Sequence, residues 1–162
     1  MKYKNAAVLA LSAAGMLFTS LANADDTTQS LTQDMNVKLK VTAACSMTVS
    51  DLDFGTHAST DGELKGSTNA QVTCTKGAPY TLTAESTDKY VMKKTTDDTS
   101  TVAYNLYRDD SYANSLTDTT GVDGVGNGSA QSVPIYGKVT SAQLAQAAVG
   151  DYLDVVTLKL TY

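Results

Sequence analysis

The chain ends in strict alternation. Across residues 156–162 the even positions Val156, Leu158, Leu160 and Tyr162 are apolar, and Thr157, Lys159 and Thr161 stand between them. Successive side chains of a strand point to opposite faces, so this run reads as a β-strand with one buried face. The same period appears near the other end. Across residues 31–41 the odd positions are Leu31, Gln33, Met35, Val37, Leu39 and Val41, alternating with Thr32, Asp34, Asn36, Lys38 and Lys40. Gln33 is the one polar residue on that apolar face.

The pieces between are also those of an all-β protein. Thr, Val and Tyr are plentiful, Trp is absent, and turn residues punctuate short runs. Strands are expected at 46–54, 71–75, 80–86, 90–94, 102–108, 133–139 and 152–162. Turn-rich stretches separate them at 62–69, at 76–79, and at 109–131. The last contains Gly121, Gly124, Gly126 and Gly128, which predicts an exposed, mobile loop. A short helix is expected over 141–148, with Ser141 as its N-cap and Gly150 ending it. Short strands, long turns and one cysteine pair together predict a β-sandwich of immunoglobulin-like size.

The beginning of the chain sets the compartment. Lys2 and Lys4 precede an apolar stretch over 6–21, and Ala22-Asn23-Ala24 supplies small residues for cleavage. This is the layout of a secretory signal peptide over 1–24. The stretch is shorter than the roughly 20 apolar residues a spanning helix needs. Cleavage after Ala24 leaves about 140 residues, enough for one domain with a substantial core. In an oxidising compartment the two cysteines, Cys45 and Cys74, are expected to form a disulfide. By the chain-entropy account such a crosslink contributes about 3–4 kcal/mol.

Composition narrows the function. A formal net charge of −5 without Lys/Arg clusters argues against nucleic acid and anionic membrane surfaces as partners. No catalytic constellation is visible. His57, the single histidine, lies in the polar turn Gly55-Thr56-His57-Ala58-Ser59 and reads as a surface residue rather than a triad base. Residues 118–128 faintly suggest a calcium loop but lack its ligand spacing and closing glutamate, so a flexible loop is the better reading. Asn127-Gly128-Ser129 matches a glycosylation acceptor, a pattern common by chance. The expectation is a protein without enzyme activity, cofactor or metal.

The two ends remain informative. The last strand runs to Tyr162, and an edge strand offers unpaired backbone groups that proteins normally blunt. The alternating segment over 31–41 can pair within its own sandwich behind a loose leader. It can equally add as a strand to another copy, with backbone bonds giving affinity and alternate side chains filling pockets. The residues alone leave both readings open.

Several blocks, in order, resemble the spore coat protein U domain, whose members include major subunits of archaic, Csu-type chaperone–usher pili. They are CSMTVSDLDFG (45–55), VTCTKGAPYTLT (72–83), VAYNLYRD (102–109), VPIYGKV (133–139) and VGDYLDVVTLKLTY (149–162). The resemblance covers nearly the whole chain after Ala24. It implies an incomplete, pilin-type sandwich over 37–162 that lacks its final strand. It also implies an N-terminal extension over 25–36, reaching at most residue 41, that donates a strand to the adjacent subunit. Leu31, Gln33, Met35, Val37 and Leu39 would then be donor residues. Val156, Leu158, Leu160 and Tyr162 would border the groove, with the Tyr162 carboxylate as the chaperone's anchor, and Cys45 and Cys74 would be the family disulfide. The implied partners are other copies or other pilus subunits, a periplasmic chaperone and an outer-membrane usher, in an extracellular fibre that supports adhesion and biofilm. The competing readings are a secreted coat protein of the same family that forms no pilus, and a monomeric extracellular binding module.

Overall fold

The computed structural model describes residues 28–162 apart from Asp98. The signal peptide expected over 1–24 and the first leader residues lie outside the described residues. The chain divides into two units, Met1–Lys38 and Leu39–Tyr162. In the first, described residues 28–38 form no strand or helix and every side chain is exposed. The strand expected over 31–41 is therefore not formed. Its apolar side chains are exposed, and alternation alone does not hold an isolated strand.

The second unit is all-β, with ten strands and one short helix among the described residues. Strand β1 spans Cys45–Val49 and β2 Leu64–Cys74. They are followed by β3 at Pro79–Ser86, β4 at Val91–Lys94, β5 at Thr101–Ala103 and β6 at Asn105–Tyr107. Then come β7 at Val122–Val125, β8 at Ala130–Val139, α1 at Ser141–Ala145, β9 at Tyr152–Leu153 and β10 at Val156–Thr161. The antiparallel strands form three sheets, ordered β1-β2-β8-β6, β10-β3-β7 and β5-β4-β9.

The core lies where inward rows of all three sheets meet. Ala70 and Val72 of β2, Val133, Ile135 and Val139 of β8, Leu82 and Ala84 of β3, Val102 of β5 and Leu106 of β6 are all buried in one cluster. Within β2 the burial alternates along its length, as the period-two rule requires.

Four expectations are corrected. The stretch over 62–69, read as a turn, is the first half of β2, paired with β8 from Leu64↔Val139 onward. Its glycine, Gly66, stands opposite Gly137, and a Cβ at either position would crowd Leu52 and Phe54, which pack there from the β1–β2 loop. The stretch over 109–131 is not simply a loose loop: it contains β7 and the fully buried Leu116. Gly124 lies so close over Tyr80 that a Cβ would overlap the ring, which is why β7 can approach β3. The helix is capped by Thr140, whose hydroxyl accepts from the Gln143 amide, and it ends at Ala145. Finally, the strand expected over 152–162 is broken at Asp154-Val155. Its first part, β9, pairs with β4, and its second, β10, pairs with β3.

Candidate functional site

Cys45 and Cys74 are joined by a disulfide and stand opposite each other in the β1–β2 register. The link fastens the first residue of β1 to the last residue of β2. Among the described residues β1 pairs with β2 alone and β10 with β3 alone, so each leaves one row of backbone donors and acceptors without a strand partner.

These are the longest edges among the described residues. Strands β5 and β6 have three residues each, β9 two, and β7, the other edge of the β10 sheet, four. Very short edges are a common protection against strand addition. Strand β10 has six residues and β1 five. Neither contains proline, and the one charge on either, Lys159, sits among the outward-facing residues of β10.

Side-chain burial follows the same division. In β10 the row Val156, Leu158 and Leu160 points inward yet is only half-buried. Opposite Leu158 and Leu160 in the register are Ala84 and Leu82, both 0% exposed. In β1, Cys45 and Met47 are half-buried, while their partners Cys74 and Val72 are 1% and 0% exposed. Both edge rows pack on the common core and both keep part of their apolar surface in water. Burying that remainder is favourable at about 25 cal/mol per Å². Tyr162, past the end of β10, is exposed.

The start of the open edge is held by polar contacts. Asp154 lies at the break between β9 and β10, and one of its carboxylate oxygens accepts from Ser86 Oγ at 2.8 Å and from Tyr104 OH at 2.6 Å. Burial, and then the bond to Asp154, push the Tyr104 hydroxyl well above its usual pKa. Ser86 Oγ also accepts from the Tyr90 amide at 2.8 Å, and the Tyr90 hydroxyl donates to Ala84 O at 2.7 Å. Tyr90 stacks edge-on against Tyr104, and Tyr104 against Phe54. Together these fix where the terminal strand turns from one sheet to the other. The partners of Asp154 were invisible in the sequence, although it stands on the even, otherwise apolar phase of 152–162 and so interrupts the alternation.

The donor residues inferred from resemblance lie elsewhere. Leu31, Met35, Val37 and Leu39 are 89%, 82%, 84% and 88% exposed, and Gln33 is exposed beside them. His57 is a surface residue, as expected: it lies 3.2 Å from Asp61 and 2.7 Å from Phe54 O within the β1–β2 loop. The Asp61 carboxyl is held below the usual range by the Ala58 amide and then by His57.

Comparison with known proteins agrees with this architecture. Among curated proteins no sequence match is found. Among solved structures, the chain is similar to one from the CsuC–CsuE chaperone–tip adhesion subunit pre-assembly complex of the archaic chaperone–usher Csu pili of Acinetobacter baumannii. The TM-score is 0.55 at 18% identity, over 75% of this chain and 40% of that one. The likeness is one of fold, and the chain spans less than half the length of that relative. The sequence profile of the Spore Coat Protein U domain matches residues 31–159. With most of its length inside that match, the chain belongs to the spore coat protein U domain family.

Proposed function

We propose that this protein is a structural subunit of a surface pilus assembled by the chaperone–usher pathway. In this reading each subunit polymerises head to tail by donating its N-terminal extension to the open edge of the next. One observation carries it. The described residues include two edge strands, β1 and β10, whose inward rows are half-covered, and an alternating extension whose apolar side chains are exposed. Each lacks what the other supplies.

A strand laid along β10 takes up its free backbone groups, while Leu31, Met35, Val37 and Leu39 complete the cover over Val156, Leu158 and Leu160. Full burial of an apolar side chain of this size contributes about 1.5–3 kcal/mol. Lys38 and Lys40 point the other way along the period and stay in water. Because donor and acceptor are different surfaces, the contact does not close on itself and generates a filament. Before assembly the same edges need protection. A periplasmic chaperone contacting β10 and Tyr162 would supply it, with an outer-membrane usher as the exit. The similarity to a chaperone-bound pilus subunit supports this assignment, as does family membership. The role is non-catalytic, and adhesion and biofilm formation follow from the fibre.

The test is thermal unfolding of a chain beginning at Thr42, with and without a peptide of residues 25–41. The peptide is expected to raise the melting temperature by at least about 10 °C, since each kcal/mol shifts it by several degrees. A cooperative, monomeric melt indifferent to the peptide would overturn the proposal.

A further inference from the structure

The outer face of the four-stranded sheet carries a feature that subunit joining does not use. Lys65 on β2 and Lys138 on β8 alternate outward, opposite to the buried row of each strand. Lys65 Nζ lies 4.8 Å from the centre of the Tyr112 ring, and Lys138 Nζ lies 5.5 Å from Tyr107 and 5.8 Å from Tyr112. The rings form their own group, Tyr112 meeting Tyr107 edge-on at 5.5 Å and Tyr136 at 6.0 Å. Glu63 bridges the lysines loosely, at 3.6 Å and 3.7 Å.

Tyr112 is placed at a cost. Its φ is 56°, the left-handed region that side chains other than glycine disfavour. The turn carrying it is pinned by Asp109, whose carboxylate accepts from Ser111 Oγ, from the Ala113 amide at 3.1 Å and from the Asn114 amide at 2.7 Å. Two further bonds close the turn, Arg108 N to Asn114 O and Tyr112 N to Asp109 O. The ring so presented is only half-buried and lies outside the core cluster. Backbone strain that gains no core packing points to function.

We propose that Tyr107, Tyr112 and Tyr136, with Lys65 and Lys138, form a binding site for an acidic polysaccharide, one carrying uronic-acid carboxylates on its sugar rings. Charge complementarity selects an anion: 17 acidic residues against 12 basic ones make the chain repel polyanions in general, yet here two ammonium groups share one exposed carboxylate. Exposed ion pairs of this kind are weak, so a sugar carboxylate competes readily with Glu63. The rings select a sugar over a flexible acidic peptide: all three are only partly buried, and the ring surface not covered by the lysines suits the C–H surface of a pyranose. Outward-facing Ser67, Asn69 and Asn105 on the same sheet offer hydrogen bonds to hydroxyls. The site is independent of the inward-facing rows of β1 and β10, so the failure of either proposal leaves the other standing.

The experiment measures binding of the full exported chain to polygalacturonate, with dextran as a neutral polymer and polyglutamate as an acidic one without sugar rings. Saturable binding to polygalacturonate alone is expected, weakening as salt rises from about 0.05 to about 0.5 M. The decisive variant is Tyr112→Gly. Glycine accepts the left-handed backbone, so the melting temperature should hold or rise while polygalacturonate binding falls about tenfold. Tyr112→Phe should keep binding, and Lys65→Gln with Lys138→Gln should remove both the binding and its salt dependence. Equal binding to polyglutamate or dextran, no saturable binding at all, or binding untouched by Tyr112→Gly would overturn the proposal. So would a lower melting temperature in Tyr112→Gly with binding unchanged, which would assign the ring a packing role only.

Discussion

Two rows of side chains in this sandwich face one core through matched registers, and they differ in how far they are covered. On β3, Leu82 sits between β10 and β7, and Ala84 between β10 and Thr117, whose carbonyl accepts from the Ala84 amide; both are fully buried, as is Val72 on β2 between β1 and β8. One strand further out, Leu158, Leu160 and Met47 have the same inward direction and the same core beneath them, yet remain half-covered. Direction and composition are alike in the two rows. What differs is a neighbouring strand on the second side, so apolar residues at the open edges report a missing partner rather than poor packing. The exposed extension is the partner proposed for them above.

That comparison predicts unequal costs for one substitution. Leu82→Ala should destabilise the chain by about 2–5 kcal/mol, the range for truncating a buried leucine. Leu160→Ala, its register partner, should cost less, about 1–2 kcal/mol in the uncomplemented chain, because part of its surface is already in water. With the 25–41 peptide bound, the Leu160→Ala cost should rise toward that of Leu82→Ala. Urea melts of both variants, with and without peptide, check this. Equal costs without peptide would break the comparison.

The disulfide sharpens it from the β1 side. Replacing Cys45 and Cys74 by alanine should cost about 2–5 kcal/mol, as for other native disulfides in exported domains. The loss should appear first in β1, which has no second neighbour to hold it. Hydrogen exchange should therefore show the Ser46 and Thr48 amides, which face β2 in the register, losing protection before those of Val72 and Leu82.

The inner strands were legible because their alternation is undisturbed: Tyr80, Leu82 and Ala84 mark one face of β3 without interruption. The first half of β2 was not, because Gly66, Ser67 and Asn69 look like turn residues until Gly137 is seen opposite and Leu52 and Phe54 are seen filling the space. Leu116 was lost for a related reason, a single apolar residue in a polar stretch having no period to reveal it. The break at Asp154 depends on Ser86 and Tyr104, 68 and 50 residues away in sequence, and no local pattern encodes such partners. Alternation was legible at both ends. Whether a strand forms there was not, since that depends on a partner outside the run.

The smallest expected effect comes from the turn around Tyr112, which the Asp109 carboxylate holds. The contacts of Asp109 with Ser111, then with the Ala113 amide, lower its pKa from 3.8 to about 2. A carboxylate whose folded value is depressed contributes stability that is fully present above the unfolded value and lost as pH falls through the folded one. The turn should therefore be intact at pH 5, weaken below about 4 and be released near pH 2, while the β2–β8 pairing survives this titration. The group lies at the surface and is partly exposed, so the loss should register in the turn and hardly in the melting temperature. Amide chemical shifts of Ala113 and Asn114 followed from pH 6 to pH 2 should move with a midpoint well below 3.8. A midpoint at the ordinary carboxylate value would mean that Asp109 does not hold the turn, and Asp109→Asn would then leave the left-handed Tyr112 in place.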